Sequence, residues 1–159
     1  MFKIREEVLL CHSSKYIYKM SIHTKKPTIL LVDDHVSFRN GLKLIMNLEN
    51  IATIIGEASN GQECMDLLSN SKPDLVIMDI DMPIMNGLET TKKAIELMPD
   101  LKIMAYSMFE NEIYFLKMIE LGAKGYLLKS SGISELEKAI NIVLGGGKYF
   151  KYNNIDAIL

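Results

Sequence analysis

From Pro27 onward, hydrophobic and polar residues follow two alternating patterns. Short continuous apolar runs, typical of strands buried on both faces, predict strands at 28–32, 51–56, 75–78, 101–106 and 125–128. Between them, apolar residues recur at helical spacing and predict helices at 36–48, from Asn60 to before Pro73, and at 86–98, 110–121 and 133–144. Asn60 and Asn86 are predicted N-caps, with Glu63 and Glu89 as return partners of capping boxes.

Five strands that alternate with five helices define the fold class. Because the connections are short, the crossovers are right-handed, and we expect an α/β, doubly wound, five-stranded parallel sheet with helices on both faces. Ligands of such sheets bind at the carboxyl ends of the strands, near the point where the strand order reverses. Functional residues are therefore expected where the strands end.

Polar side chains follow four of the five predicted strands. They are Asp33 and Asp34 after the first strand, Asp79 and Asp81 after the third, Ser107 after the fourth and Lys129 after the fifth. Carboxylates brought this close repel one another unless a cation joins them, and a site of oxygen ligands suits Mg²⁺. A lysine and a hydroxyl opposite the acids would supply the counter-charge and hydrogen bond that a phosphoryl group needs. Each residue alone has an ordinary explanation, such as Asp34 capping a helix, but their joint placement favours a site.

Composition and charge narrow the class of protein. The 159 residues suit one domain, and the net charge of −2 combines +4 over residues 1–26 with −6 over residues 27–159. The acidic body argues against a nucleic-acid surface. No apolar run is long enough for a membrane helix or a secretory signal, so no membrane association is expected. Cys11 and Cys64 lie far apart without ligand spacing, which indicates a reduced, cytoplasmic protein with Cys64 as a buried thiol.

Four segments resemble the receiver domain of two-component response regulators. They are ILLVDDH (29–35), DLVIMDIDMPIMNGLE (74–89), MAYS (104–107) and GAKGYLLK (122–129). The resemblance covers residues 27–147 and is greatest to receivers that precede a helix-turn-helix output domain. It implies a flavodoxin-like (βα)5 receiver fold.

The resemblance also implies the roles of the acidic residues. Asp79 would be the phosphoacceptor and would take its phosphoryl group from a phosphohistidine on a sensor histidine kinase. Asp34, Asp79 and the backbone carbonyl of Asp81 would ligate Mg²⁺, and Asp33 would act largely through water.

Three further residues would complete the switch. Ser107 would hydrogen-bond the phosphoryl oxygens, and Lys129 would pair with Asp79 before transfer and with the phosphate after it. Tyr126 matches the aromatic position that swings inward when Ser107 moves toward the phosphate. Such receivers promote their own phosphorylation and dephosphorylation with Mg²⁺, but we expect a switch rather than an enzyme.

Two features depart from the receiver pattern. Ser130 follows Lys129 where many receivers have a cis-proline, which leaves the isomer of this bond open. Residues 1–26 lie outside the resemblance, and we interpret them as a flexible extension or as sequence upstream of a true start at Met20. Residues 148–159 are interpreted as the start of a linker.

The output of the switch has two interpretations. We favour a receiver from a longer transcription regulator, whose DNA-binding domain would lie beyond Leu159 and which would dimerise on phosphorylation. The alternative is a stand-alone receiver that signals through protein contacts.

Other classes of protein fit the residues less well. Asp79 and Asp81 match the nucleophile and acid of haloacid-dehalogenase-like phosphatases, but Met82-Pro83 follows where a threonine is usual, and Asp33 and Asp34 would have no role. A flavodoxin-like cofactor carrier shares the fold, but an Asp-Asp-His loop repels a bare phosphate.

Overall fold

The chain forms a parallel β-sheet that is covered by helices on both faces. The structure is a computed structural model that describes residues 25–108 and 110–152. In chain order, the elements are β1 (Thr28–Val32), α1 (Val36–Leu48), β2 (Thr53–Ala58), α2 (Gly61–Leu68), β3 (Leu75–Met78), α3 (Gly87–Leu97), β4 (Ile103–Ser107), α4 (Glu112–Glu120), β5 (Gly125–Leu128), a 3₁₀ helix (Lys129–Ser131), α5 (Ile133–Leu144) and β6 (Tyr149–Phe150).

The strand order is β2-β1-β3-β4-β5-β6, and every neighbouring pair is parallel. The chain passes from β1 to β2 on one side and then returns to place β3 on the other side. The strand order therefore reverses between β1 and β3, and their carboxyl ends border the crevice in which such sheets bind ligands. The predicted doubly wound parallel fold is confirmed.

Alternate residues of each strand point into two separate cores. Leu30, Val76 and Ala105 face one side, where they pack with residues of α2, α3 and α4. Ile29 and Ile77 face the other side, against residues of α1 and α5. Since both faces are covered, the strands read in sequence as continuous apolar runs rather than as alternating ones.

The predicted helix caps are confirmed in part. The Asn60 side chain accepts a hydrogen bond from Glu63 N–H at 3.0 Å, and the Asn86 side chain accepts one from Glu89 N–H at 2.9 Å. The Glu63 carboxylate returns to Ser59 N–H at 2.7 Å. The Glu89 carboxylate instead pairs with Lys93 at 2.8 Å, so the second return contact was predicted wrongly.

Two strands begin later than predicted because their first residues close the preceding helix. Ile51 N–H donates to the Met46 carbonyl at 2.9 Å, and Asn50 takes a φ of 61° in this turn, so β2 begins at Thr53. Leu101 N–H donates to the Met98 carbonyl at 2.9 Å, and β4 begins two residues later. The turns that end α1 and α3 therefore contain apolar residues that the sequence pattern assigned to strands.

A sixth strand corrects the prediction that a linker starts at residue 148. Tyr149 N–H donates to the Lys124 carbonyl and Lys151 N–H donates to the Tyr126 carbonyl, both at 2.9 Å, which adds β6 parallel to β5. The packed chain therefore continues past Gly147 to Tyr152. Two residues are too few to show strand periodicity, so the pattern alone did not indicate β6.

Some of the sequence predictions concern residues that the structure does not describe. These are the interpretations of residues 1–24, of Met20 as a start and of residues 153–159. Within the described residues, no peptide bond is cis, so the Lys129–Ser130 bond is trans. No helix in residues 25–108 and 110–152 combines the length and hydrophobicity needed to cross a bilayer.

Candidate functional site

Three carboxylates meet where β1 and β3 end. Asp33 and Asp34 follow β1 and Asp79 follows β3, and one ligand atom from each lies within 4.8 Å of the others and of a ring nitrogen of His35. Asp79 N–H donates to the Val32 carbonyl at 2.8 Å, which extends the pairing of the two strands into the site. Asp33 and Asp79 are buried, and Asp34 is half-buried. The fold therefore brings together three of the four acidic residues predicted for the metal site.

The Lys129 ammonium lies between two of these carboxylates. Its Nζ atom is 2.5 Å from Asp33 Oδ2 and 3.2 Å from Asp79 Oδ2, and its side chain is only 3% exposed. Lys129 is carried there by β5, which ends at the residue before it. The resemblance implied the pair with Asp79, whereas the shorter pair with Asp33 is an addition made by the structure.

The Asp79 carboxylate is restrained at both oxygens. Oδ2 faces Lys129, and Oδ1 accepts a hydrogen bond from Ile80 N–H at 2.9 Å. Burial raises the pKa of Asp79, the Lys129 charge opposes this, and the Asp33 charge adds to it. A Cβ atom at Gly87 would lie 2.1 Å from the Asp79 carbonyl oxygen, so glycine is required where α3 begins against this backbone.

Ser107 and Tyr126 connect this sheet edge to α4. Ser107 ends β4 and is buried, and Tyr126 lies inward in β5 and is fully buried. Burial raises the pKa of the Tyr126 phenol, and the neighbouring Ser107 hydroxyl acts in the opposite direction. The Phe115 ring of α4 packs edge-on against Tyr126, with 5.1 Å between the ring centroids. The predicted contact of Ser107 with phosphoryl oxygens stays a prediction.

Asp81 is exposed, and its side chain is not among the closely spaced carboxylates of the described residues. The predicted ligand is its backbone carbonyl rather than its side chain. Its assignment to the metal site therefore stays a prediction.

Arg39 supports the site from α1 and was not predicted from the sequence. Its buried guanidinium donates through Nη1 to the Asp33 carbonyl oxygen, and its Nε lies 3.5 Å from Glu57 Oε2. Lys43 also pairs with Glu57, and this hydrogen-bonded contact is the main reason that the pKa of Glu57 lies below its usual range. The only sequence signal for Arg39 is a basic residue on the apolar side of a helix.

The donor set fits a hard divalent cation. Three clustered carboxylates, two of which pair with a single ammonium, leave an excess of negative charge at this end of the sheet. Asp34 Oδ1 is buried and accepts no hydrogen bond from the described residues, because its approach to His35 Nδ1 at 2.9 Å lacks hydrogen-bond geometry. A buried oxygen without a donor is suited to coordinate a metal ion. Receiver domains generally bind Mg²⁺ through acidic residues of this kind.

Comparisons with known proteins agree with the geometry. The family described as response regulator receiver domain matches residues 29–141. The chain is 34% identical over 128 residues to the transcriptional regulatory protein DegU of Brevibacillus brevis, and 39% identical over 119 residues to the nitrate/nitrite response regulator protein NarL of Escherichia coli. These alignments cover 80% and 75% of this chain but 54% and 55% of the relatives, so the chain spans about half the length of the curated relatives it matches.

Solved structures show the same likeness. A LuxR-family two-component response regulator from Aurantimonas sp. SI85-9A1 superposes with a TM-score of 0.75 at 31% identity, over 79% of this chain and 89% of that one. The signal receiver domain of the response regulator NarL from Mycobacterium tuberculosis superposes with a TM-score of 0.73 at 26% identity, over 77% and 99% of the two chains.

Proposed function

This chain belongs to the receiver domains of LuxR/NarL-type response regulators, and from that premise we propose that Asp79 is its phosphoacceptor. The observation that carries the proposal is the position of Asp79. This carboxylate is buried at the crevice of the sheet, 3.2 Å from Lys129 and beside two further carboxylates. Receiver domains of response regulators are phosphorylated by sensor histidine kinases, and we propose such a kinase as the donor.

The proposed reaction is a transfer between two side chains. An oxygen of the Asp79 carboxylate attacks the phosphorus of the phosphohistidine, the P–N bond breaks, and its electron pair stays on the imidazole nitrogen. Lys129 holds a positive charge where the phosphoryl oxygens arrive. Asp33, Asp34, Asp79 and the Asp81 carbonyl would hold Mg²⁺, which when bound supplies charge neutralisation for the transferred group.

The conformational response would pass through β4 and β5. Ser107 lies at the end of β4, and its neighbour Tyr126 packs on Phe115 of α4. A hydrogen bond from Ser107 to a phosphoryl oxygen would change the surroundings of the Tyr126 phenol. Because Phe115 packs against Tyr126, a shift of the Tyr126 ring would be transmitted to the surface of α4. We propose that the chain acts as a switch rather than as an enzyme.

The whole protein would use this switch to control transcription. The curated relatives are about twice as long as the aligned part and include regulators of transcription. We propose that the parent protein carries a DNA-binding output domain, that DNA is contacted only there, and that phosphorylation promotes a homodimer. We further propose that it works in the cytoplasm, where response regulators typically act.

Labelling with acetyl phosphate tests the phosphoacceptor. With Mg²⁺, we expect the wild-type chain to take up one phosphoryl group, Asp79→Asn to take up none, and Asp66→Asn to behave as wild type. Asp66 is a matched control because it is an acid on α2 whose carboxylate accepts a hydrogen bond from Gln62 Nε2 at 3.1 Å and is not among the clustered carboxylates of the site. Undiminished labelling of Asp79→Asn would refute the site. Sustained multi-turnover release of phosphate from a phosphomonoester would instead indicate a phosphatase.

A further inference from the structure

The Lys129 ammonium has a third neighbour, which is the aromatic ring of Phe38. The Nζ atom lies over this ring, 4.4 Å from its centroid. Phe38 is in the first turn of α1 and is half-buried, and its ring packs against Tyr106 with 5.7 Å between centroids. The ammonium is therefore bounded by Asp33, Asp79 and an aromatic face.

We propose that Phe38 is a positioning residue that holds Lys129 beside Asp79 through a cation–π contact. The inference deepens the proposed function and rests on it, because the position of Lys129 has consequences only if Asp79 receives a phosphoryl group. Phe38 has no role of its own in the proposed transfer, either toward the phosphoryl group or as a metal ligand. Its effect would be exerted through Lys129.

An aromatic ring can hold an ammonium group without occupying its donors. A lysine ammonium has three N–H donors, and the carboxylates of Asp33 and Asp79 take up two directions. The Phe38 ring attracts the charge through its quadrupole but presents no oxygen acceptor. Lys129 therefore keeps one N–H donor for an incoming phosphoryl oxygen. A carboxylate in place of the ring would accept a hydrogen bond from that donor.

The ring also lines the space beside the ion pairs. A small cavity beside the carboxylates is lined by Phe38, Asp33, Asp79 and Tyr106, among others, so the Phe38 ring forms one of its walls. A desolvated cation–π contact is stronger than an exposed one. A leucine at this position would fill part of the space, but it would leave one side of the ammonium against an aliphatic group that attracts it little. The lysine side chain would then regain rotamer freedom, and Lys129 would be less preorganised for transfer.

A series of variants at residue 38 separates ring electrostatics from packing. Phe38→Leu removes the ring, Phe38→Tyr keeps it, and 3,4,5-trifluorophenylalanine keeps its shape but weakens its negative face. Phe150→Leu is the matched control because it makes the same change in a half-buried ring of β6. The phosphorylation rate is measured with acetyl phosphate at saturating Mg²⁺, and the affinity for BeF3⁻ is measured by calorimetry.

We expect Phe38→Leu and the trifluoro variant to lower both the rate and the BeF3⁻ affinity about tenfold, which corresponds to about 1.4 kcal/mol. Phe38→Tyr and Phe150→Leu should stay within about threefold of wild type. Wild-type behaviour of the trifluoro variant would refute the electrostatic role, and a Phe38→Tyr variant as slow as Phe38→Leu would refute positioning by a ring. The trifluoro variant keeps the test open if Phe38→Leu fails to fold.

A spectroscopic measurement tests the contact without phosphorylation. Protons on the Lys129 Cε atom should show an upfield ring-current shift in the NMR spectrum, which Phe38→Leu removes and Phe38→Tyr keeps. The signal is assigned by its loss in Lys129→Met. If wild type takes up no phosphoryl group, the proposed function falls together with this inference. If wild type is phosphorylated and Phe38→Leu matches it in rate and in Lys129 shift, only the inference falls.

Discussion

Removing the Lys129 ammonium should destabilise the fold in a way that acid and magnesium both reverse. In Lys129→Met, the carboxylates of Asp33 and Asp79 lose their shared partner although both remain buried. Breaking a buried ion pair by deleting one partner lowers the free energy of unfolding by about 3–5 kcal/mol. Because Asp34 at this site is partly exposed and the site opens to the crevice, we expect a loss near the lower end of this range. The free energy of unfolding should fall by about 3 kcal/mol at pH 7, which corresponds to a decrease in Tm of roughly 10 °C.

The dependence on pH follows from the pKa of Asp79. Burial already raises this pKa, and the loss of Lys129 removes the charge that opposes the rise. A carboxyl whose pKa is higher in the folded than in the unfolded state favours folding when protonated, so stability falls as pH rises through the folded pKa. The deficit of Lys129→Met relative to wild type should therefore shrink as the pH falls from 7 toward the unfolded pKa of an aspartic acid.

Urea denaturation of both proteins at pH 7 and pH 5, with and without about 10 mM Mg²⁺, measures these effects. A divalent cation replaces the lost positive charge, so Mg²⁺ should restore more stability to the variant than it adds to wild type. Lys93→Met is the control, because its half-exposed pair with Glu89 is worth about 0.3–0.5 kcal/mol. The reasoning is refuted if Lys129→Met is as stable as wild type at pH 7, or if its deficit is the same at both pH values.

Three further predictions concern other parts of the structure. Burial raises the pKa of the Cys64 thiol to about 12, so at pH 8 this thiol should resist alkylation in the native protein and react on unfolding. Peptide mapping after alkylation measures this, and rapid alkylation of the native protein would contradict the burial of Cys64. Ile84 has a φ of 69° and is 82% exposed, so Ile84→Gly should raise the free energy of unfolding by about 1 kcal/mol in urea titrations, and a loss would contradict strain at this residue. The Tyr152 ring stacks on Phe115 with 5.0 Å between centroids, an aromatic contact worth about 0.5–1.5 kcal/mol. Tyr152→Ala removes this contact and should lower the melting temperature and speed hydrogen exchange in β6. Unchanged exchange would show that β6 does not depend on this ring.

Elements with a local signal were predicted best. Buried runs such as 75–78 and the helical spacing of 133–144 match β3 and α5 residue for residue. The later starts of β2 and β4 were missed because the hydrogen bonds that close α1 and α3 use apolar residues for turns. β6 was missed because a two-residue strand exists only through its pairing with β5.

The convergence of the acidic residues followed from topology, whereas their partners did not. Strand ends of a parallel sheet meet at one edge, so Asp33, Asp34 and Asp79 could be placed together from the sequence. The pairing of Lys129 with Asp33 joins residues 96 positions apart, and it depends on how β5 ends relative to β1. No local pattern reports such a distance.

The amino-acid pattern was enough to predict the class of the sheet, the edge at which function would lie and the residue types available there, because these follow from periodicity and from the residues that come after each buried run. Which side chains contact one another became known only from the folded structure. It placed the Arg39 guanidinium on the Asp33 carbonyl and the Phe38 ring against the Lys129 ammonium, and it turned Tyr126 fully inward. The physical reason is that contacts of a few ångströms depend on the packing angle of α1 and the register of β5, which are set by the two cores together and not by any single segment.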